Sequence, residues 1–256
     1  MSPTRLAEFE IPLPPLPEQR RIAAILDAAG SLRAKRRESL EQLDALMQSV
    51  FLEMFGDPVT NPKGWEEGPI EEWFEIARGG SPRPISEYVT DSPDGINWIM
   101  IGDTEPNSRY IRRTAKKIRP EGVRKSREVN EGDFLLTNSM SFGRPYILRT
   151  AGCIHDGWLV LSPKSDAVHQ EYFFNILSTD ALHREFKRRA SGAVVKNLNT
   201  SLVRTVVIPV PPIEVQQEFA KVVSAIERQR ERFHTHLAEL DTLFASLQSR
   251  AFRGEL

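Results

Sequence analysis

The segment IPLPPLPEQRRIAAILDAAGSLRAKRRESLEQLDALMQSVFLEMFGD at residues 11–57 returns, without a gap, as IPVPPIEVQQEFAKVVSAIERQRERFHTHLAELDTLFASLQSRAFRG at residues 208–254. At a constant offset of 197 residues, 14 of the 47 positions are identical, among them Ile11/Ile208, Pro12/Pro209, Pro14/Pro211, Pro15/Pro212, Gln19/Gln216, Leu43/Leu240, Asp44/Asp241 and Leu46/Leu243. That offset is too long for a solenoid period, so the repeat is a duplicated module flanking something else. In each copy a proline cluster closes an extended segment. Proline cannot continue a ladder or sit inside a helix, but it fits just ahead of a first helical turn. Beyond it the apolar residues fall at alternating steps of three and four. They are Ile22, Leu26, Ala29, Leu32, Leu40, Leu43, Met47, Val50 and Met54 in the first copy, and Phe219, Val222, Ile226, Phe233, Leu237, Leu240, Phe244, Leu247 and Ala251 in the second. This is a narrow coiled-coil seam, and it predicts two helices of about 35–40 residues, roughly 55–60 Å each. Gly30 is the one soft point of the first helix; no proline or glycine interrupts the second before Gly254.

A helix that long with a single apolar stripe needs a partner of similar length. The two arms therefore pair with each other, within one chain or between chains, rather than lying as surface helices on a globular core. The predicted interface sets Ile22, Leu26, Leu40, Leu43, Met47 and Val50 beside Phe219, Ile226, Phe233, Leu240, Phe244 and Leu247. The middle of each arm turns polar, with Arg33, Lys35, Arg36 and Arg37 in one and Arg228, Arg230, Arg232, His234 and His236 in the other. These charges form a solvated face, or a seam position such as Arg36 fixes register at a cost in stability.

Residues 58–207 read differently. Short β-favouring runs bounded by turn residues recur at 96–102, 134–138, 144–150, 157–163 and 204–210, and two stretches read as helical, IEEWFEIAR (70–78) and HQEYFFNILSTDALHREFKRRA (169–190). The predicted class is α+β: one β-rich globular domain, its sheet partly open and barrel-like with helices, flanked by two long coiled-coil-forming helices. Net charge is −1, so only local charge bears on nucleic acid. From Arg109 to Arg127 nine basic residues (Arg109, Arg112, Arg113, Lys116, Lys117, Arg119, Arg124, Lys125 and Arg127) stand against one acid, Glu121. A second cluster is Arg184, Lys187, Arg188, Arg189 and Lys196. Such patches on a neutral chain suit phosphate, although a charge run also makes an ordinary solvated face. The lone Cys153 excludes a disulfide framework and fits a reducing cytoplasm, and no apolar run approaches membrane-spanning length.

With the arms and this segment in view, the chain resembles the specificity subunit of type I restriction–modification systems. The resemblance rests on the repeated junctions IPLPPLPEQRRI (11–22) and IPVPPIEVQQEF (208–219) with the helices after them. It also rests on NPKGWEEGPIEEWFEIARGGSPRPISEY (61–88), SREVNEGDFLLTNSMSFGRPYIL (126–148), GCIHDGWLVLS (152–162) and SGAVVKNLNTSLV (191–203). It implies a target recognition domain at 58–207, helical arms at 11–57 and 208–256, and, at 1–10, the end of a recognition domain that is otherwise missing. It further implies double-stranded DNA, modification (methyltransferase) subunits and restriction subunits as partners, and a homodimer or a pairing with another specificity half. S-adenosylmethionine would belong to the modification subunit and ATP with magnesium to the restriction subunit, with no cofactor on this chain. The rival is a coiled-coil interaction protein or truncated remnant without sequence-specific DNA binding; burial of the basic residues in internal ion pairs would favour it.

Candidate DNA contacts gather in four loops and the basic run. GGSPRP (79–84) offers Gly80, Ser81 and Arg83, its glycines permitting close backbone approach; NSMSFGRP (138–145) offers Asn138, Ser139, Ser141 and Arg144. His155 sits in a turn, Lys196 and Asn197 in another, and Arg112, Arg113, Lys116 and Lys117 in the basic run. Arginine suits a guanine edge and asparagine an adenine edge, while either also binds phosphate. No glycine-rich cofactor loop, Walker loop, HExxH or Cys/His metal spacing is present, so the expectation is a non-catalytic subunit.

Overall fold

The computed structural model describes residues 13–105, 108–138, 143–190 and 198–256. In chain order its elements begin with α1 (Leu16–Phe55), β1 (Glu67–Pro69), β2 (Phe74–Arg78), β3 (Val89–Thr90), β4 (Ile96–Ile99) and β5 (Tyr110–Ile111). Then come β6 (Lys116–Ile118), α2 (Pro120–Val123), β7 (Arg127–Val129), β8 (Phe134–Thr137), β9 (Pro145–Leu148) and β10 (Gly152–Ile154). The chain ends with β11 (Trp158–Pro163), α3 (Gln170–Leu177), α4 (Asp180–Ala190), α5 (Thr200–Arg204), β12 (Val207–Pro209) and α6 (Ile213–Arg253). It divides into two compact units, Met1–Ser49 with Val223–Leu256, and Val50–Val222. The expectation for residues 1–10 lies outside the described residues.

Both proline junctions start their helices in the same way. The Pro15 carbonyl accepts the amides of Glu18 and Gln19, and the Pro212 carbonyl those of Val215 and Gln216. The Gln19 side chain donates to the Pro14 carbonyl at 2.8 Å, and Gln216 donates to the Pro211 carbonyl at 2.8 Å. The repeated Pro-Pro…Gln spacing is thus a helix-start device: proline supplies the rigid turn and glutamine covers a carbonyl that proline geometry leaves outside the ladder.

In the first unit α1 and α6 pair antiparallel within one chain. Gly30 lies beside Phe244, Arg33 Nε bonds Asp241 Oδ1 at 2.5 Å, and Asp44 Oδ1 lies 3.3 Å from Arg230 Nη2, so residue numbers fall along α6 as they rise along α1. The two ion pairs exchange under the repeat, because Arg33 corresponds to Arg230 and Asp44 to Asp241. An interface in which i meets j and j's counterpart meets i's is isologous, so the arms pack about a pseudo-two-fold axis. The axis falls between Glu38 and Ser39 on one helix and between Thr235 and His236 on the other. Ile22, Leu26, Leu40, Leu43 and Met47 on α1, and Phe233, Leu240, Phe244 and Leu247 on α6, are partly buried along the seam; Ile226 is buried, and Val50, also partly buried, belongs to the second unit. Two positions of the periodic reading fall off it: Leu32 is 53% exposed, and Val222 is exposed while its neighbour Val223 is buried. Helix α1 runs through Gly30 unbroken.

The second unit holds two five-stranded sheets, ordered β3-β6-β4-β10-β7 and β2-β11-β8-β9-β5, and a small β1-β12 pair. Pairing is antiparallel except for β4 with β10 and β5 with β9. The runs FLLT, PYIL and WLVL are buried throughout because both faces of their sheet are covered. Alternate residues separate the faces. Leu135, Tyr146, Leu148, Trp158 and Val160 enter the core shared with Ile99, Val129 and Ile154 of the other sheet. On the opposite face Phe134 meets Phe74, which in turn meets Phe173 of α3 with ring centroids 4.9 Å apart. Phe219 belongs to this unit: with Phe51, Phe55 and Tyr172 it forms an aromatic cluster of centroid separations 4.7–5.8 Å.

Two helical expectations are corrected. Residues 70–78 form one tight turn at 70–72 and then strand β2, in which Phe74 and Ile76 are buried while Glu75 is exposed between them. Pairing with β11 along its whole length overrides the local helix propensity. Residues 169–190 are two helices, since Ser178 caps α3 and the Thr179 hydroxyl accepts the Leu182 amide to start α4.

Candidate nucleic-acid interface

The β10–β11 turn and the GGSPRP loop build one side of a groove. Gly79 donates its amide to the Trp158 carbonyl and Gly80 to the Ile154 carbonyl, which lays the loop along the turn. The glycines serve that internal approach: a Cβ on Gly79 would collide with the His155 carbonyl, and one on Gly80 would press on the Lys125 carbonyl. Asp156 then fastens the loop. Its carboxylate accepts from the Ser81 hydroxyl at 2.7 Å and from Arg83 Nη2 at 3.4 Å. The Ser81 hydrogen bond, helped by a backbone amide, His155 and Arg83, holds its carboxyl below the usual carboxylate range.

The groove has a volume of about 790 Å³ and is lined by Ser81, Pro82, Arg83, Pro84, Ile85, Val89, Trp98, Met100, Ile101, Gly102, Lys116 and His155. Four residues expected from sequence, Ser81, Arg83, Lys116 and His155, therefore converge, although up to 74 positions separate them in the chain. Its floor is apolar and two cations stand at its rim, Arg83 and Lys116, both exposed. A thymine methyl and a phosphate are the two nucleic-acid groups that such a surface accommodates.

His155 is held as part of the wall. Its Nε2 faces the Ile101 amide at 3.2 Å and its Nδ1 the Gly157 amide at 2.8 Å. A neutral imidazole accepts at one nitrogen only, and the shorter contact assigns that role to Nδ1; burial lowers the His155 pKa against the opposing pull of Asp156. Asn138 is likewise corrected from reader to support: it is buried, and its Nδ2 donates to the Asp156 carbonyl at 2.6 Å. Arg144 is exposed, follows Gly143 (φ 74°), and lies 5.3 Å from the Tyr146 ring centroid. Ser139, Ser141, Lys196 and Asn197 lie outside the described residues.

The basic run divides between the two sheets. Arg112 and Arg113 follow edge strand β5 of one, and Lys116 to Arg127 run along β6, α2 and β7 of the other. Arg109 is corrected from surface cation to buried anchor, 3.0 Å from Glu171 and packed over Phe174. Arg113 pairs with Glu105, and Lys117 reaches the Pro93 carbonyl. Arg112, Lys116, Arg119, Arg124 and Arg127 are exposed, and among the described residues no carboxylate lies within ion-pair distance of them. In the second cluster Arg188 and Arg189 both clamp Glu185, whose pKa falls to about 2 under those two guanidinium hydrogen bonds. The residues that sequence reasoning missed are Asp156, which organises the loop, and the aromatic Trp98 on the groove floor. The Asp-Gly turn was visible, but not its cross-loop role.

A β-rich domain with exposed basic residues on two sheets, together with a pair of repeated antiparallel arms, defines a recognition-domain-and-arm architecture. The chain belongs to the type I restriction modification DNA specificity domain family, whose model matches residues 1–42 and 62–241. It is similar to the type I restriction enzyme EcoBI specificity subunit of Escherichia coli, at 25% identity over 290 aligned residues covering 100% of this chain and 60% of that protein. The solved HsdS subunit from Thermoanaerobacter tengcongensis matches with a TM-score of 0.60 at 25% identity, over 96% of this chain and 61% of that one. A structure reported for the complex assembly and conformational transition of the type I R-M system matches with a TM-score of 0.68 at 25% identity, over 96% and 62%. The chain spans 38–60% of the length of the curated relatives it matches. Among the described residues no helix is long and apolar enough to cross a membrane.

Proposed function

We propose that this chain recognises a half-site of an interrupted DNA target and scaffolds a type I restriction–modification complex. The observation that carries this reading is the family match across arms and central domain, joined to a groove where Ser81, Arg83 and Lys116 meet and to the exposed cations Arg112, Arg119, Arg124 and Arg127. Residues 58–207 would read the half-site, with Arg83, Lys116 and Arg144 nearest the DNA and Arg112, Arg119, Arg124 and Arg127 on phosphates. The arms would dock modification subunits, which supply S-adenosylmethionine-dependent methylation, and restriction subunits would add ATP and magnesium-dependent cleavage. This chain itself would be non-catalytic and bind no cofactor. The second half-site would be read by a second copy, giving a self-paired half-subunit and, by symmetry, an inverted-repeat target. Since α1 and α6 pair within one chain, two copies would meet by exchanging arms or through the modification subunits.

The test is co-expression with the cognate modification subunit, the mass of the complex by light scattering, and mapping of methylated genomic DNA. Two copies of each subunit and an interrupted palindrome are expected. One copy per complex would overturn self-pairing, and no complex would overturn the scaffolding role.

A further inference from the structure

The two arms are near-equivalent, and this creates a selection problem. Leu40 and Leu43 recur as Leu237 and Leu240, and the Arg33–Asp241 and Arg230–Asp44 pairs would form equally well between two first arms or two second arms. None of these contacts makes a first arm prefer a second. One position near the pseudo-two-fold axis breaks the equivalence. Arg36 places its guanidinium carbon 4.2 Å from the centroid of the Phe233 ring, and under the 197-residue offset Arg36 and Phe233 are the same repeat position. That position lies two to three residues from the axis, and the long arginine side chain reaches its own counterpart across it. Two first arms in this register would set Arg36 against Arg36, a like-charge contact in a partly buried seam; two second arms would set Phe233 against Phe233. At this position only the mixed pair lays a cation over an aromatic face. The Arg36 Nε is buried with no hydrogen-bond partner, a cost that an aliphatic seam residue would not carry. A polar group kept in a seam at such a cost is how coiled coils fix partner choice.

We propose that Arg36 and Phe233 form a partner-selecting contact that directs first arm onto second arm, within one chain or between two copies, and against pairing of two first arms. This does not depend on DNA recognition or on the modification subunits.

Full-length chains carrying Arg36→Phe, Phe233→Arg and both exchanges test it. Phe233→Arg puts two arginines at the axis and is expected to lower the thermal midpoint by roughly 3 °C or more, and the double exchange to recover most of that loss. Selection is read separately with Ser39→Cys, next to the axis, since Cys153 is buried. Refolded at high concentration under reducing conditions and then mildly oxidised, that chain is expected to stay largely uncrosslinked, and adding Arg36→Phe is expected to raise the disulfide dimer several-fold. A double exchange as unstable as Phe233→Arg, or cross-linking unchanged by Arg36→Phe, would overturn the proposal.

Discussion

Asp156 reaches from the β10–β11 turn to the 79–84 loop, and its half-exposed carboxylate is the only group that fixes both Ser81 and Arg83 among the described residues. Asp156→Ala should leave the global fold nearly intact, with a loss below about 1 kcal/mol, because the pair is solvent-screened. It should loosen the loop, seen as faster amide exchange at 79–83, and weaken DNA binding; unchanged exchange would remove its fastening role. The neighbouring His155 gives the unit a pH dependence of defined sign. Its folded pKa is lowered by burial, and those of His169 and His183 are lowered too, with burial the largest cause in each. The unfolded chain therefore takes up protons first, near pH 6.5, so stability is full above that value and declines as pH falls through it. Asp156, lowered rather than raised, adds a further loss below the ordinary carboxylate range. The thermal midpoint should be flat above pH 7 and fall below about 6.5; a midpoint that rises on acidification would contradict this. Arg144 is the clearest candidate base reader. Arg144→Ala should weaken binding to the cognate duplex by about 1–3 kcal/mol and to random duplex by less. Equal loss on both would make it a phosphate contact.

At the scale of elements, the duplicated junction performs different amounts of work in its two copies. Gln216 is fully buried, accepts the His169 amide at 2.9 Å and donates to the Ala167 carbonyl at 3.1 Å as well as to Pro211. Gln19 is partly buried and makes the Pro14 bond. Gln216→Ala should therefore cost about 2–3 kcal/mol by stranding buried backbone groups, and Gln19→Ala less than about 1 kcal/mol. Chemical denaturation of both variants measures the difference, and equal losses would mean the junctions are energetically alike. The same comparison shows what sequence can disclose. The repeat and its step of three and four predicted both long helices and most of the seam, because helical periodicity is local. That the arms pair was expected; that they do so antiparallel and within one chain was not legible, since Arg33 meets Asp241 across 208 positions. Strand β2 was misread because its alternation of Phe74, Ile76 and exposed Glu75 spans too few residues to separate from a helix turn. β5 is only two residues long, Tyr110 and Ile111, and β6 carries Lys116 and Lys117 ahead of a single Ile118, so neither offers an apolar run and only pairing reveals them.

For the whole molecule the formal charge is −1, so any affinity for DNA must come from distribution rather than from net attraction. The described basic residues divide into those closed within the fold and those facing solvent. Arg109 is buried on Glu171, and Arg188 with Arg189 holds Glu185. Arg112, Lys116, Arg119, Arg124 and Arg127 remain exposed across two sheets that a linear reading had merged into a single strip. That division sets the salt dependence of binding. Each phosphate neutralised contributes about −0.9 to the slope of log K against log salt, so engagement of these five cations gives a slope of roughly −4 to −5. Substituting Arg119, Arg124 and Arg127 together by glutamine should flatten it by about 2.7 and weaken cognate and random duplex alike. By contrast, Arg109→Gln should leave the slope unchanged and lower stability instead, because it removes one partner of a buried ion pair. Titrations between 50 and about 200 mM salt separate the two classes. A slope unaffected by the triple substitution would mean that the β6–β7 sheet does not face DNA, and would move the interface to the Arg112 and Arg144 side of the domain.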